Sequence, residues 1–270
     1  MTDRNDHYVF ASVPYVNAAP LAHFLPRVRA GVRVIYDRPA AMAGYLAARR
    51  ADAAMVPVVD YLALDGLGMI DGLGICADGD VQSVLLKCYR PIEQVRRVQP
   101  DPASRTSNAL ARVLLEDHFH LSVRVAPVGD GVSADAAVII GDAALAAEPA
   151  PCGDYDLGGL WKAMTGLPFV FAVWAHRADH ADPADLAAVA HAAKAAGLAA
   201  VDDLAAVQAR RTGLSEPRLR EYLASVIHYD LGDRERQAMR LFRERLAERN
   251  LLAPGREPCP SVGAKEGPGR

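Results

Sequence analysis

Short β-prone runs alternate with helix-forming stretches as far as His176-Arg177, and beyond that point the strand pattern stops. Such alternation limits the chain to an α/β architecture, with helices covering a sheet whose strands run largely parallel. The first run, Tyr8 to Val13, halts at Pro14, and Asn17 and Pro20 mark a loop that turns into a helix near Leu21. A strand over Val32 to Tyr36, a helix over Ala40 to Arg49 and a strand over Ala53 to Val58 follow. Further β-prone runs are Val81 to Tyr89, Val95 to Val98, Val123 to Pro127, Ala136 to Ile140 and Leu167 to Trp174. Between them, Leu110, Val113 and Leu114 recur at helical spacing over Asn108 to Glu116.

From Asp182 onward the pattern is helical. Asp182-Pro183 is an N-cap with proline in the first turn, Gly197 is read as the end of that helix, and Ser215 caps another. Asp233 is read as the cap of a last helix reaching about Leu251, and Pro254 to Arg270 reads as a loose tail rich in Pro and Gly.

The extended runs around Ser83 and Phe171 flank an internal α/β segment, while the terminal helices return to the first part. This predicts two lobes joined by two extended crossings. Residues 1–90 with 172–253 form the first lobe, 91–171 the second and 254–270 the tail. A cleft between lobes is a preferred place for a small ligand.

Charge removes other partners from consideration. Thirty basic against 33 acidic residues leave a net charge of -3, so no global positive field exists to hold a nucleic-acid backbone or an anionic membrane. The nearly apolar run Leu167 to Ala175 is short of the roughly 20 residues that span a bilayer. No export signal is visible in the polar start, so a cytosolic location is expected. Cys76, Cys88, Cys152 and Cys259 form no CxxC pair and read as free thiols. His118 with His120 and His176 with His180 lack the acidic or cysteine-rich company of a metal site and read as solvated surface residues. Neither a P-loop nor a G-x-G-x-x-G is present, so no phosphate-bearing cofactor is indicated.

The residues that could carry chemistry fall in four places. Asp101 to Asn108 leads into a helix, and Ser104, Thr106 and Ser107 with Arg105 present donors where the helix dipole favours an anion. Plain N-capping accounts for one such hydroxyl; three with an arginine favour a carboxylate site. Ser12 and Asn17 lie where the first strand leaves the sheet, the end that faces the crevice in open α/β folds. Asn17 fits equally as a ligand contact or a turn residue. Ser83 is polar amid apolar neighbours and needs a partner if buried, yet no G-x-S-x-G surrounds it. Gly141-Asp142 follows a buried strand and offers backbone N–H groups and a carboxylate, although a strand-ending turn explains the pair as well.

These segments resemble a known family. Ser12-Val13-Pro14-Tyr15-Val16-Asn17, Val56-Pro57, Ser83-Val84-Leu85-Leu86, Asp101 to Ser107, Gly141-Asp142-Ala143, Tyr155-Asp156-Leu157-Gly158 and Leu167 to Trp174 resemble, in order and spacing, the chorismate dehydratases of the futalosine route to menaquinone. The likeness runs from about Val9 to Leu251. One departure is the first motif, often Ser-Tyr-Leu-Asn in relatives, where Pro14 enters here and Asn17 is retained.

The resemblance implies a two-lobed fold like the type II periplasmic binding proteins, working as a hydro-lyase. It implies dehydration of chorismate to 3-[(1-carboxyvinyl)oxy]benzoate without metal or organic cofactor. By similarity Asn17 and Ser83 are the central active-site residues, and Ser104 to Ser107 the carboxylate-binding helix start; Ser12, Gly141 and Asp142 are expected to contact substrate from their places beside the crevice. An asparagine amide has no useful basicity, so Asn17 is expected to hold the ring hydroxyl or a carboxylate while a substrate carboxylate takes the ring proton. Two other readings share the fold. A small-anion binding protein would bind without turnover, and the later naphthoquinone-forming sister enzyme would act on a different substrate.

Overall fold

A computed structural model of the chain describes residues 7–126 and 134–252. Its strands are β1 (Val9–Ser12), β2 (Arg33–Tyr36), β3 (Ala53–Pro57), β4 (Leu67–Ala77), β5 (Val84–Cys88), β6 (Arg97–Gln99), β7 (Arg124–Val125), β8 (Ala136–Ile140), β9 (Asp154–Asp156) and β10 (Phe169–Arg177). They form two five-stranded sheets, ordered β2-β1-β3-β10-β4 and β7-β6-β8-β5-β9. The expected two-lobed α/β fold is what forms. The chain leaves the first sheet through residues 78–83 and returns through 166–168, so β5 pairs in the second sheet. The expected lobe boundary at residue 90 falls one strand later than this crossing. The tail from residue 254 and Cys259 lie outside the described residues.

Both sheets are mixed, which corrects the expectation of largely parallel pairing. The β1-β2 and β1-β3 pairs are parallel, as are β6-β7 and β6-β8, but β10 and β5 each run antiparallel to both neighbours. The reason is the double crossing: a strand that follows a crossing enters its sheet from the cleft side, opposite to the strands already there. β4 escaped the sequence pattern because Gly68, Gly72 and Gly74 with Asp71 dilute its apolar residues, and glycine has little strand preference.

The helix expected to stop at Gly197 runs Pro183–Ala199. Gly197 sits there for packing: a Cβ at this position would lie 2.0 Å from the Pro20 carbonyl oxygen. The glycine lets this helix press directly on the helix Ala19–Ala22, returning the C-terminal part to the first lobe. The last helix, Asp233–Glu248, has Gly232 rather than Asp233 at its cap, where Glu235 accepts the Gly232 N–H at 2.9 Å. Its Phe242 meets Trp161 and Phe169 edge-on, and all three rings are buried. This aromatic cluster packs beside the returning crossing and fixes where β10 begins. Among the described residues no single helix is long and apolar enough to cross a membrane. Cys76, Cys88 and Cys152 are free thiols.

His118 and His120 are exposed as expected, but His176 and His180 are not simply solvated. Their rings stand 6.2 Å apart, His176 is buried, and His180 Nε2 lies 3.5 Å from Asp52. His176 sits within β10 and is covered by neighbouring chain, a burial that spacing alone does not report.

Candidate functional site

Each segment singled out in the sequence reaches the space between the two sheets by a local device. The first is at Ser83. Asp156, at the start of the helix Leu157–Thr165, accepts N–H bonds from Val81 (3.0 Å), Gln82 (2.6 Å), Gly158 (2.9 Å) and Gly159 (3.0 Å). Burial pushes this carboxyl's pKa up, against the Val81, Gly159 and Gln82 amides, which pull it down. Under that grip Gln82 takes φ +60° and the Ser83 N–H reaches the Val81 carbonyl at 2.7 Å. A γ-turn of this hand is strained, and it persists because Asp156 over-determines it. Ser83 is thereby buried at the cleft wall, and its own carbonyl accepts the Gly141 N–H at 2.8 Å.

Gly141 has φ +63°, and a Cβ there would lie 3.0 Å from the Tyr15 ring, so conformation and contact both require glycine. Its neighbour Asp142 ties the lobes together. One carboxylate oxygen accepts the Val16 N–H at 2.9 Å and the other the Arg211 guanidinium at 2.6 Å. The Val16 contact holds the short turn Val16–Ala18, which carries Asn17.

The helix Arg105–Asp117 follows β6 in the second sheet and lines the cleft from the same lobe as Gly141. Ser104 caps it, accepting the Ser107 N–H at 3.1 Å, and the Ser104 and Ser107 hydroxyls are 2.8 Å apart. The Thr106 hydroxyl accepts the Val59 N–H at 3.3 Å. Ser107 N–H is thus satisfied, while the Arg105 and Thr106 amides have no partner within the helix. Arg105 instead pairs with buried Asp60, whose pKa burial pushes up and Arg105 pulls back.

These walls enclose a cavity of about 550 Å³, its open mouth included. Of the expected residues, Asn17, Ser83, Ser104, Thr106, Ser107 and Gly141 line it. Ser12, Arg105 and Asp142 do not: Ser12 Oγ is buried without a partner, and the other two are engaged in the ion pairs above. The rest of the lining is largely apolar, including Met55, Ile75 and Phe171, and no lining residue carries a charge. Among the described residues no three His, Cys, Asp or Glu side chains are grouped to hold a metal ion.

Two neighbours of the cavity are not among the site residues expected from the sequence, although Tyr15 stands in the first of the resembling segments. Tyr15 lines it, and burial, with Asp101 and Asp142 nearby, raises its pKa. Tyr222 lies behind the lining, fully buried, and donates its hydroxyl to Ser83 Oγ at 2.7 Å. It begins the π-helical turn Tyr222–Val226, closed by Ile227 N–H to the Tyr222 carbonyl at 3.0 Å. Burial drives its pKa far up, against the pull of Ser83 and Asn17 beside it. A tyrosine 139 residues from its partner leaves no pattern that spacing could reveal.

Residues 8–248 match the family described as Menaquinone biosynthesis. A chorismate dehydratase of Thermus thermophilus is 31% identical over 265 residues, covering 88% of this chain and 95% of the relative. A chorismate dehydratase of Campylobacter jejuni is 33% identical over 176 residues, 61% of this chain and 65% of the relative. Among solved structures, a protein from Archaeoglobus fulgidus superposes with a TM-score of 0.70 at 15% identity, covering 92% of this chain and 99% of that one. The periplasmic aliphatic sulphonate binding protein SsuA from Escherichia coli gives 0.63 at 15% identity, covering 91% and 93%. These two likenesses concern the fold.

Proposed function

The chain belongs to the menaquinone biosynthesis family, and from that premise we propose that its cleft binds chorismate and removes water from it, giving 3-[(1-carboxyvinyl)oxy]benzoate. The observation that carries this is the lining: neutral hydrogen-bonding groups from both lobes, set in an otherwise largely apolar cleft. A cyclohexadiene with two carboxylates and one hydroxyl needs apolar walls for its ring and directed donors for its oxygens.

In this assignment the start of the helix Arg105–Asp117 takes a carboxylate, with hydroxyls of Ser104, Thr106 and Ser107 and two free first-turn amides as donors. Asn17 and Ser83 hold the reacting edge of the ring. The C–H bond at the ether-bearing carbon breaks, its electron pair becomes the new ring double bond, and the C–O bond to the neighbouring hydroxyl breaks. The hydroxyl leaves with the C–O bonding pair and becomes water by taking up the proton first removed from the ring, handed on by the group that accepted it, and the ring becomes aromatic, which supplies the driving force. No lining residue is a ready base, so the proton passes to a carboxylate of the substrate itself, and the protein contributes position and dipoles.

Ser12, Arg105 and Asp142 act one step away from substrate: Asp142 by holding the Asn17 turn, Arg105 by anchoring its helix on Asp60, and Ser12 from the end of β1. The residues bordering the cavity belong to two lobes divided at the crossings, whose closure excludes water from the bound ring. The assignment extends to the futalosine route and to a cytoplasmic location, on the family resemblance. The test is incubation of the purified protein with chorismate alone, followed by mass detection. A product lighter by one water is expected. Unchanged chorismate would refute the assignment, and binding without turnover would favour the small-anion receptor.

A further inference from the structure

We propose that Tyr222 is a positioning residue for this reaction, setting Ser83 as the hydrogen-bond donor and Asn17 as the acceptor between which the substrate's ring hydroxyl is held. The inference rests on the assignment of the cleft to chorismate and goes beyond it in naming a residue outside the cavity and a direction for each hydrogen bond.

A serine hydroxyl has one hydrogen and two lone pairs and can turn either way. Ser83 cannot turn freely. The Tyr222 hydroxyl occupies one side of Oγ at 2.7 Å, and a phenol, being far more acidic than an alcohol, is the natural donor of such a pair. The Ser83 hydrogen is then directed away from Tyr222, on a residue that lines the cavity. Asn17 brings the complementary half. Its turn packs on the π-helical turn that begins at Tyr222, and its Oδ1 is buried with no donor. A buried oxygen without a partner is costly, and a ligand hydrogen would satisfy it.

The cavity therefore offers one donor and one orphaned acceptor from neighbouring positions. A carboxylate can only accept; an alcohol both accepts and donates. The substrate's ring hydroxyl is the group that answers both, and it is also the group that leaves. Accepting from Ser83 helps the oxygen carry away the C–O bonding pair, and donation to Asn17 fixes its orientation. Tyr222 touches neither substrate nor the reacting atoms. Its buried ring is held by packing, so a phenylalanine keeps the shape and removes only the hydroxyl, with its contacts to Ser83 and Asn17.

The experiment uses four full-length proteins: wild type, Tyr222→Phe, Ser83→Ala and the double variant, with Tyr229→Phe as a control. Tyr229 is a neighbouring buried tyrosine whose hydroxyl has no partner. For Tyr222→Phe the expected result is a kcat about tenfold lower with KM little changed, and a melting temperature lower by about 2 to 4 °C because a buried hydrogen bond is lost. Tyr229→Phe should keep wild-type kcat. In the Ser83→Ala background the Tyr222 substitution should cost less than it does in the wild type, because part of its effect passes through Ser83. Wild-type kcat in Tyr222→Phe, or losses that multiply in the double variant, would overturn the proposal and leave the assignment to chorismate standing. A wild-type protein that leaves chorismate untouched would end both.

Discussion

The two polar regions of the cleft are built in opposite ways. Ser104, Thr106 and Ser107 come from four consecutive residues at one helix start; Ser104 bonds to Ser107, and Thr106 accepts from the Val59 amide. Asn17, Ser83 and Tyr222 come from three remote parts of the chain and meet only in the fold. The first region is a preformed donor array that any carboxylate can use. The second has a defined direction, a phenol donor behind and an unpaired acceptor in front, and it asks for a particular group. On the proposed assignment the comparison divides affinity and turnover between the two regions: the helix start would hold the ligand, and the remote corner would act on it.

Breaking the corner should produce the larger effect. Ser83→Ala removes the donor to the leaving oxygen and strands the Tyr222 hydroxyl without an acceptor. A kcat lower by on the order of 100-fold is expected, as for loss of one donor at a site of developing charge, with chorismate affinity changed far less. Steady-state kinetics with a separate binding titration checks it. If Ser83→Ala raised Kd and left kcat alone, the division between the two regions would be wrong.

Breaking the helix start should give the reverse and a smaller change. Ser104→Ala and Thr106→Ala each weaken chorismate binding by about 1 kcal/mol or more, roughly fivefold in Kd, with kcat at saturation largely kept. Ser104 also caps the helix, so its loss should lower stability by about 1 kcal/mol, which a urea titration separates from the binding change. Unchanged affinity in both variants would remove this region from the site.

The same contrast explains what could be read from the sequence. The helix start was legible because its residues are adjacent and its chemistry is that of any helix N-terminus. Asn17 and Ser83 were picked out as polar residues in the right kind of segment and through the family likeness, and both line the cavity. Their support was not legible. Gln82 at φ +60° has no glycine to announce it, because Asp156 enforces the turn from another element. Tyr222 belongs to a helical stretch with nothing to set it apart from other buried aromatics. Arg105 looked like a substrate contact because arginine beside hydroxyls usually is one; the fold spends it on Asp60, a buried carboxylate whose depth no local pattern shows. Residues in the second rank of a site are chosen by tertiary contact, and a single sequence records only the first rank.

The smallest expected effect is none at all, and it tests both regions together. No charged side chain lines the cavity, and the two phenols beside it, Tyr15 and Tyr222, have pKa values raised by burial above the ordinary tyrosine value of 10.0. Both therefore stay protonated below that value. Asp101, near Tyr15, has its pKa raised by burial against the pull of the Ala103 and Ile140 amides, and it does not line the cavity. A reaction whose protein groups are all neutral donors and acceptors, and whose proton acceptor is a substrate carboxylate, should show kcat and kcat/KM flat across about pH 6 to 9. A rate profile over that range checks it directly. An acid limb near the ordinary histidine value would require a histidine at the reacting atoms, where none lines the cavity, and would replace substrate-assisted proton transfer with a protein base.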